Sequence, residues 1–205
     1  MNNSRQGKSQ FVAVASIAAE LSDVMDVAKE ISLAAANAKA IAFRAGEKAK
    51  GFQPITDFIN ELAKETIGLV NAINEQAIQL YQLAVNEYKM TAASSKFDQV
   101  NSLAVDAAYC SSLDTPLELA EQNKQECRKQ FKNHVERLLE QLGDIMHPAR
   151  AARVIAANSR IEASQAGEYL QSLQAVAESV DNAALVIHGN VQRCRSALSI
   201  ISFSD

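Results

Sequence analysis

Three cysteines and three histidines are the side chains of this chain that could act as nucleophiles, bases or metal ligands. The six residues are Cys110, Cys127, Cys194, His134, His147 and His188. The cysteines are too widely spaced for a disulfide framework or a metal motif, and the histidines have no partner at the spacing typical of zinc ligands. We expect the cysteines to be small apolar side chains in a reducing compartment, and we predict no catalytic or metal site.

The wider patterns of catalysis are also missing from the sequence. There is no phosphate-binding glycine loop, no histidine paired with a nucleophile and no Glu-x-x-His repeat. An alanine-rich helical bundle packs its helices closely and leaves little room for a pocket with convergent polar groups. The chain is therefore predicted not to be an enzyme and to need no cofactor.

The composition indicates the type of secondary structure on which the cysteines and histidines lie. The 205 residues include only 7 Gly, 3 Pro and no Trp, whereas Ala, Leu, Glu, Gln and Lys are abundant. This composition favours helix and offers little material for β-turns, so an all-α fold is predicted. The length allows a substantial core, and we expect one elongated helical domain over residues 1–205.

Charge and hydropathy exclude two classes of partner. The net charge is −4 and the charges are scattered, so no basic stripe is available for nucleic acid. No apolar run approaches the roughly 20 residues that span a bilayer, and residues 1–10 lack the apolar stretch of a signal peptide. We expect a soluble cytoplasmic protein with no nucleic-acid binding and no membrane insertion.

Apolar residues recur in alternating steps of three and four in four segments, which is the period of a coiled coil. The first seam is Val14, Ile17, Leu21, Val24, Ala28, Ile31, Ala35, Ala38, Ala42 and Ala45. The last is Leu170, Leu173, Ala177, Val180, Ala184, Ile187, Val191, Cys194, Leu198 and Ile201. Between them lie Ile55, Ile59, Leu62, Thr66, Leu69 and Ile73, and then Phe131, Val135, Leu138, Leu142 and Ile145. Four long helices are predicted.

The ends of the two middle helices can be predicted from local signals. Thr115, Pro116 and Glu118 form a candidate capping box with proline at the first helical position, after a turn near 111–115. We predict helix 2 from about Pro54 to about Cys110 and helix 3 from Pro116 to about Ala166. Both would outreach helices 1 and 4 as a two-helix extension. Pro148 predicts a kink or local break in helix 3 near Gly143 to Pro148.

An internal repeat divides the chain into two similar halves. A gapless shift of 121 residues lays Gly46 on Gly167 and gives nine identities between residues 35–63 and 156–184. Asn37 and Glu47 match in the same register as the glycine. The repeat predicts two helical hairpins. The first spans about 10–92 and has its tip at 46–52, and the second spans about 116–203 and has its tip at 167–172. An extension and a turn at about 93–115 would join them.

The segment "NAKAIAFRAGEKAKGFQPITDFINELA", residues 37–63, resembles the hairpin tip of the cytoplasmic signalling domain of methyl-accepting chemotaxis receptors. The segment "NSRIEASQAGE", residues 158–168, matches the first half of that pattern independently. In that family two subunits form a four-helix bundle, and its tip binds the coupling protein CheW and the histidine kinase CheA. The resemblance implies an antiparallel four-helix coiled-coil bundle in one chain, with both tips at one end.

The resemblance also implies a protein-binding tip. Its residues would be Asn37, Arg44, Glu47, Phe52 and Ile55 in the first repeat and Asn158, Glu162 and Glu168 in the second. The sequence departs from the family pattern at Ile41, which replaces a glutamate, and at 58–60, where Phe-Ile-Asn replaces Glu-Val-Arg. Gln165 replaces the family's arginine, and residues 170–173 replace its glycine turn.

Two functions follow. The first is a soluble, receptor-like signalling module that presents a hairpin tip to CheW, CheA or chemoreceptors. The alternative is a structural or interaction bundle that kept the scaffold and lost kinase coupling. A third interpretation is that the resemblance arose by convergence, because other alanine-rich helical rods have similar heptads. The run from Asn to Glu that both repeats share without a gap argues against it. Because one chain would contain the whole four-helix bundle, a monomer is expected.

Overall fold

The computed structural model describes the backbone of residues 2–103 and 110–202 and the side chains of residues 12–103 and 111–201. This part of the chain contains helices and no strand, so the all-α prediction is confirmed. The α-helices are α1 (Asn2–Ala45), α2 (Phe52–Leu103), α3 (Asp114–Asp144), α4 (Met146–Ala163) and α5 (Leu170–Ser202). Short 3₁₀ helices span Gly46–Ala49, Cys110–Leu113 and Gly167–Tyr169.

Helix α2 begins two residues before the predicted start. Phe52 is its first residue, so Pro54 lies in the first turn, where a missing N–H removes no helical hydrogen bond. The helix continues through the serine pair at 94–95 to Leu103, as predicted. The predicted continuation toward Cys110 lies, over 104–109, outside the described residues.

The predicted helix 3 is two helices with a break at Ile145. In an uninterrupted helix the nitrogen of Pro148 would sit opposite the carbonyl of Asp144 and could not donate to it. The break moves Pro148 into the first turn of α4, and the Ile145 N–H bonds instead to the Gly143 carbonyl. The local break predicted near Gly143 to Pro148 is confirmed.

The capping box predicted at the start of helix 3 is wrong. Helix α3 begins at Asp114, and the residue before it, Leu113, has helical torsion angles and makes no side-chain capping bond. The 3₁₀ helix Cys110–Leu113 leads directly into α3, so Thr115 already lies inside the first turn. A residue with helical torsion angles inside a turn cannot act as the N-cap.

Polar contacts fix the directions of neighbouring helices. On α1 and α2, Ser32 Oγ donates to Asn60 Oδ1 at 2.8 Å and Lys39 Nζ to Asp57 Oδ1 at 2.6 Å. On α2 and α3, three pairs run in opposite order along the two helices. They are Gln79–His134, Glu87–Arg128 and Ser94–Glu121. Both pairs of helices are therefore antiparallel.

Two further interfaces complete the helical bundle. Between α1 and α5, Arg193 Nε donates to Glu20 Oε2 at 2.8 Å. Between α4 and α5, Asp181 accepts from Arg153 Nε at 3.3 Å and from Arg160 Nη2 at 2.8 Å. The hydrogen bond from Arg160 is the main cause that lowers the pKa of Asp181 below its usual range. Helix α2 also contacts α4, so each repeat packs against the other.

The core repeats with the same shift of 121 residues as the sequence. Eighteen buried positions of the first repeat, nine from Val14 to Ala42 and nine from Phe52 to Leu80, coincide with buried positions between Val135 and Ile201. The seams predicted for the first and last segments are confirmed except for Ala45 and Leu170, which are half-buried. The shift therefore relates two packing patterns as well as two sequences.

The seam predicted for α2 is wrong at every second position. Ile55, Leu62 and Leu69 are half-buried, whereas Thr56 and Ala63 are buried in the core. The larger side chains lie at the edge of the apolar stripe, because small residues suffice where helices approach closely at the centre.

No described helix is long and apolar enough to cross a membrane.

Candidate functional site

Two glycines end helices at equivalent positions of the repeat. Helix α1 ends at Ala45 and Gly46 has φ 58°, whereas α4 ends at Ala163 and Gly167 has φ 60° after a short turn. Within residues 2–103 and 110–202, only these two residues have positive φ. A 3₁₀ helix begins at each glycine and precedes the next long helix. Left-handed torsion angles at a helix end are a role that glycine fills without steric cost.

Replacing either glycine with alanine should destabilise the protein by about 1 kcal/mol, the cost of the left-handed conformation for an L-residue. At Gly46 a Cβ would meet no atom within 4 Å, so the loss would come from torsion alone. Urea unfolding followed by circular dichroism measures it. Gly68, on the exposed face of α2 with equally open space around it, is the matched control. Gly68→Ala should stabilise the protein, and a stabilising Gly46→Ala would contradict the turn geometry.

The two turns lie against each other. Lys48 Nζ, in the first turn, is 3.9 Å from Glu168 Oε1 in the second. Glu162, near the end of α4, places its carboxylate over Gly51, where a Cβ would overlap it. Gly51 thus provides the space that the Glu162 side chain occupies. The paired turns, residues 45–52 and 164–170, are called the tip below.

The predicted binding residues differ in their access to solvent. The exposed ones are Asn37, Arg44, Glu47, Asn158 and Glu168, the half-buried ones are Ile55 and Glu162, and Phe52 is buried. Glu47 and Lys50 form an ion pair at 3.2 Å within the first turn. Asn37 and Asn158 lie two or more turns before the respective glycines, on α1 and α4.

The structure corrects the prediction that Phe52 is one of the protein-binding residues of the tip. Its side chain is 1% exposed and belongs to the central core, where Leu173 occupies the equivalent position of the other repeat. Phe52 therefore holds the first turn onto the core and does not offer its ring to a partner. Glu162 is half-buried, and its carboxylate lies against Gly51.

Two exposed aromatic residues near the tip were missed by sequence reasoning. Phe43 on α1 is 80% exposed, and Phe58 on α2 is also exposed. The signal was present, because Phe43 directly follows the seam residue Ala42 and is out of phase with the core. Single exposed apolar side chains are common on protein surfaces, and it is their position near the tip that makes these two candidates for a contact with a partner.

The described side chains contain no group of three or more His, Cys, Asp or Glu residues that could hold a metal ion. Cys194 is buried beside the Ile17 carbonyl, and burial raises the pKa of its thiol to about 12.

No family model, no curated protein and no solved structure matches the chain.

Proposed function

We propose that the protein is a receptor-like signalling module that presents its tip to a coupling protein of the CheW type, a histidine kinase of the CheA type or a chemoreceptor. In this proposal two tandem hairpins, about 10–92 and 116–203, form an antiparallel four-helix coiled coil, with helices 2 and 3 extending beyond it. The observation that carries it is the pair of left-handed glycines, Gly46 and Gly167, in one repeat register and in adjacent turns.

The surface around the tip supports an interaction with protein. Arg44, Glu47 and Glu168 are exposed charges of both signs, and Phe43 adds an exposed apolar ring next to Arg44. Aromatic and arginine side chains are the types that contribute most of the binding energy in protein interfaces. The tip and the end of α1 beside it therefore combine an apolar anchor with a charged rim.

A pull-down with purified CheW and CheA tests the proposal. The native protein should retain one of them, and Phe43→Asp together with Arg44→Glu should reduce the retained amount about tenfold or more, as loss of an interface anchor does. Ile200→Asp is the matched control, because Ile200 is also largely exposed but lies near the far end of α5. Phe52→Asp would be uninformative, since it places a charge in the core.

Failure of the native protein to bind CheW, CheA or chemoreceptors would exclude the signalling proposal. The second candidate would then apply, a structural or interaction bundle that uses the same scaffold. The engagement of Phe52 by the core and of Glu162 by Gly51 favours it, because both side chains serve contacts inside the molecule. Under this candidate, tip substitutions that preserve stability leave partner binding unchanged. Light scattering should give a monomer, because residues from α1 to α5 contribute to one core cluster within the chain.

A further inference from the structure

Helix α2 begins without a negative charge or a capping side chain of its own. It is 52 residues long, and its first turn contains no acidic residue. Residues 48–55, which include Gly51 directly before the helix, contain no Asp, Glu, Asn, Ser or Thr. The N-terminus of a helix carries a partial positive charge, because its first N–H groups have no partner inside the helix. The start of α2 therefore favours an anion that this segment does not supply.

The second repeat places a carboxylate at this position. Glu162, near the end of α4, lies so close to Gly51 that a Cβ on the glycine would be 2.8 Å from the Glu162 Cδ. Glu162 is half-buried, which reduces the screening of its charge by water. No described side chain forms a hydrogen bond or an ion pair with this carboxylate. The partial positive charge at the start of α2 is thus the partner that the geometry offers to it.

The equivalent contact of the other repeat has different chemistry. The shift of 121 residues relates Glu162 to Ile41 and Gly51 to Ser172. Ile41 is half-buried and packs against the core, and Ser172 is exposed. Helix α5 has an acid in its own segment, because Glu168 lies two residues before its start. Only α2 therefore receives its nearby carboxylate from the opposite repeat.

We propose that Glu162 supplies, from the second repeat, the negative charge that stabilises the N-terminus of α2. A carboxylate near the first turn of a helix lowers the free energy of the helix through its dipole. The contact forms only where the two repeats meet, so a displacement of α4 would also destabilise the first turn of α2. A role in packing alone would need the shape of the Glu162 side chain but not its charge. This inference does not depend on the function proposed for the tip.

Glu162→Gln tests the proposal, because glutamine keeps the size of the side chain and removes its charge. The variant should raise the equilibrium constant of unfolding about threefold, as loss of a charge at a helix N-terminus does. Urea unfolding followed by circular dichroism measures it. Glu65→Gln is the matched control and should leave the constant unchanged, since Glu65 is exposed in the interior of α2. An unchanged constant in Glu162→Gln would overturn the proposal and leave Glu162 with a packing role.

A carboxylate built into the first repeat should replace Glu162. Gly51 does not have a positive φ, so an L-residue fits its backbone, and Asp is among the preferred residues directly before a helix. Gly51→Asp should be at least about threefold more favourable in a Glu162→Ala background than in the native chain, where the new carboxylate would overlap Glu162 and repel it. Gly51→Ala measures the overlap alone and should differ less between the backgrounds. Equal differences for Asp and Ala would contradict a role of the charge.

Hydrogen exchange shows where the charge acts. The amides of residues 56–58 donate to the carbonyls of residues 52–54, so they report on the first turn of α2. Their exchange should be about threefold faster in Glu162→Gln than in the native chain. The amides of residues 174–176 report on the first turn of α5 in the same way and should exchange at the native rate. Equal acceleration at both helix starts would overturn the assignment of Glu162 to α2.

Discussion

Leu21→Ala and Leu142→Ala should each lower the free energy of unfolding by about 3 kcal/mol, the typical cost of removing a buried leucine side chain. The two residues occupy equivalent positions of the repeat, and both side chains are 0% exposed. Because all the long helices contribute to one core cluster, both variants should unfold in a single transition. Urea unfolding followed by circular dichroism gives the two free energies and shows the number of transitions.

Leu33→Ala is the control for this pair, since Leu33 lies on α1 with most of its side chain in solvent. Its effect should stay within about 0.5 kcal/mol. A loss of stability in only one of the two core variants would show that the repeats do not share equivalent cores. Two separate transitions would show that the repeats unfold independently.

Phe52→Ala should have the largest effect of a single substitution near the tip, about 4 kcal/mol, because it empties a large buried site. Phe43→Ala, nine residues earlier on α1 with its ring 80% exposed, should change stability by less than about 0.5 kcal/mol. The same urea experiment measures both variants. The comparison separates an aromatic side chain that supports the turn from one that is free to meet a partner.

The opposite result would have a specific meaning. If Phe43→Ala were the destabilising variant and Phe52→Ala the neutral one, the first turn would be anchored by the outer ring and the described core would be incorrect. Hydrogen exchange adds a local measurement, because loss of Phe52 should increase exchange first at residues 45–52 and at the turn that faces them across the Lys48–Glu168 contact.

Much of the helical architecture could be predicted from residue periodicity. The seam from Val14 to Ala42 is correct because its apolar residues recur at an uninterrupted spacing over many turns. The break near Pro148 is correct because a missing N–H acts on the same chain segment wherever the helix packs. The phase of α2 is wrong because large residues such as Ile55 and Leu62 lie beside small ones such as Thr56 and Ala63. Residue size alone does not show which of them faces the centre.

The sequence predicted where the two turns of the tip lie, but it did not predict the side-chain contacts between them. Gly46 and Gly167 occupy the same position of the repeat, and the absence of a Cβ allows their positive φ at a helix end. The position of Glu162 over Gly51 depends on how two distant segments meet, which no local pattern encodes. The capping box failed for a related reason, because the 3₁₀ helix before α3 already sets the helix start.

The shared register of the buried positions also limits how the length of this chain can change. Each long helix contributes buried side chains to one core, and the buried positions of one repeat coincide with those of the other at a fixed shift. Removing a few residues from α1 alone would turn its apolar stripe away from α2 and α5. Deletions and insertions are therefore compatible with the fold only in whole heptads, taken from facing helices together.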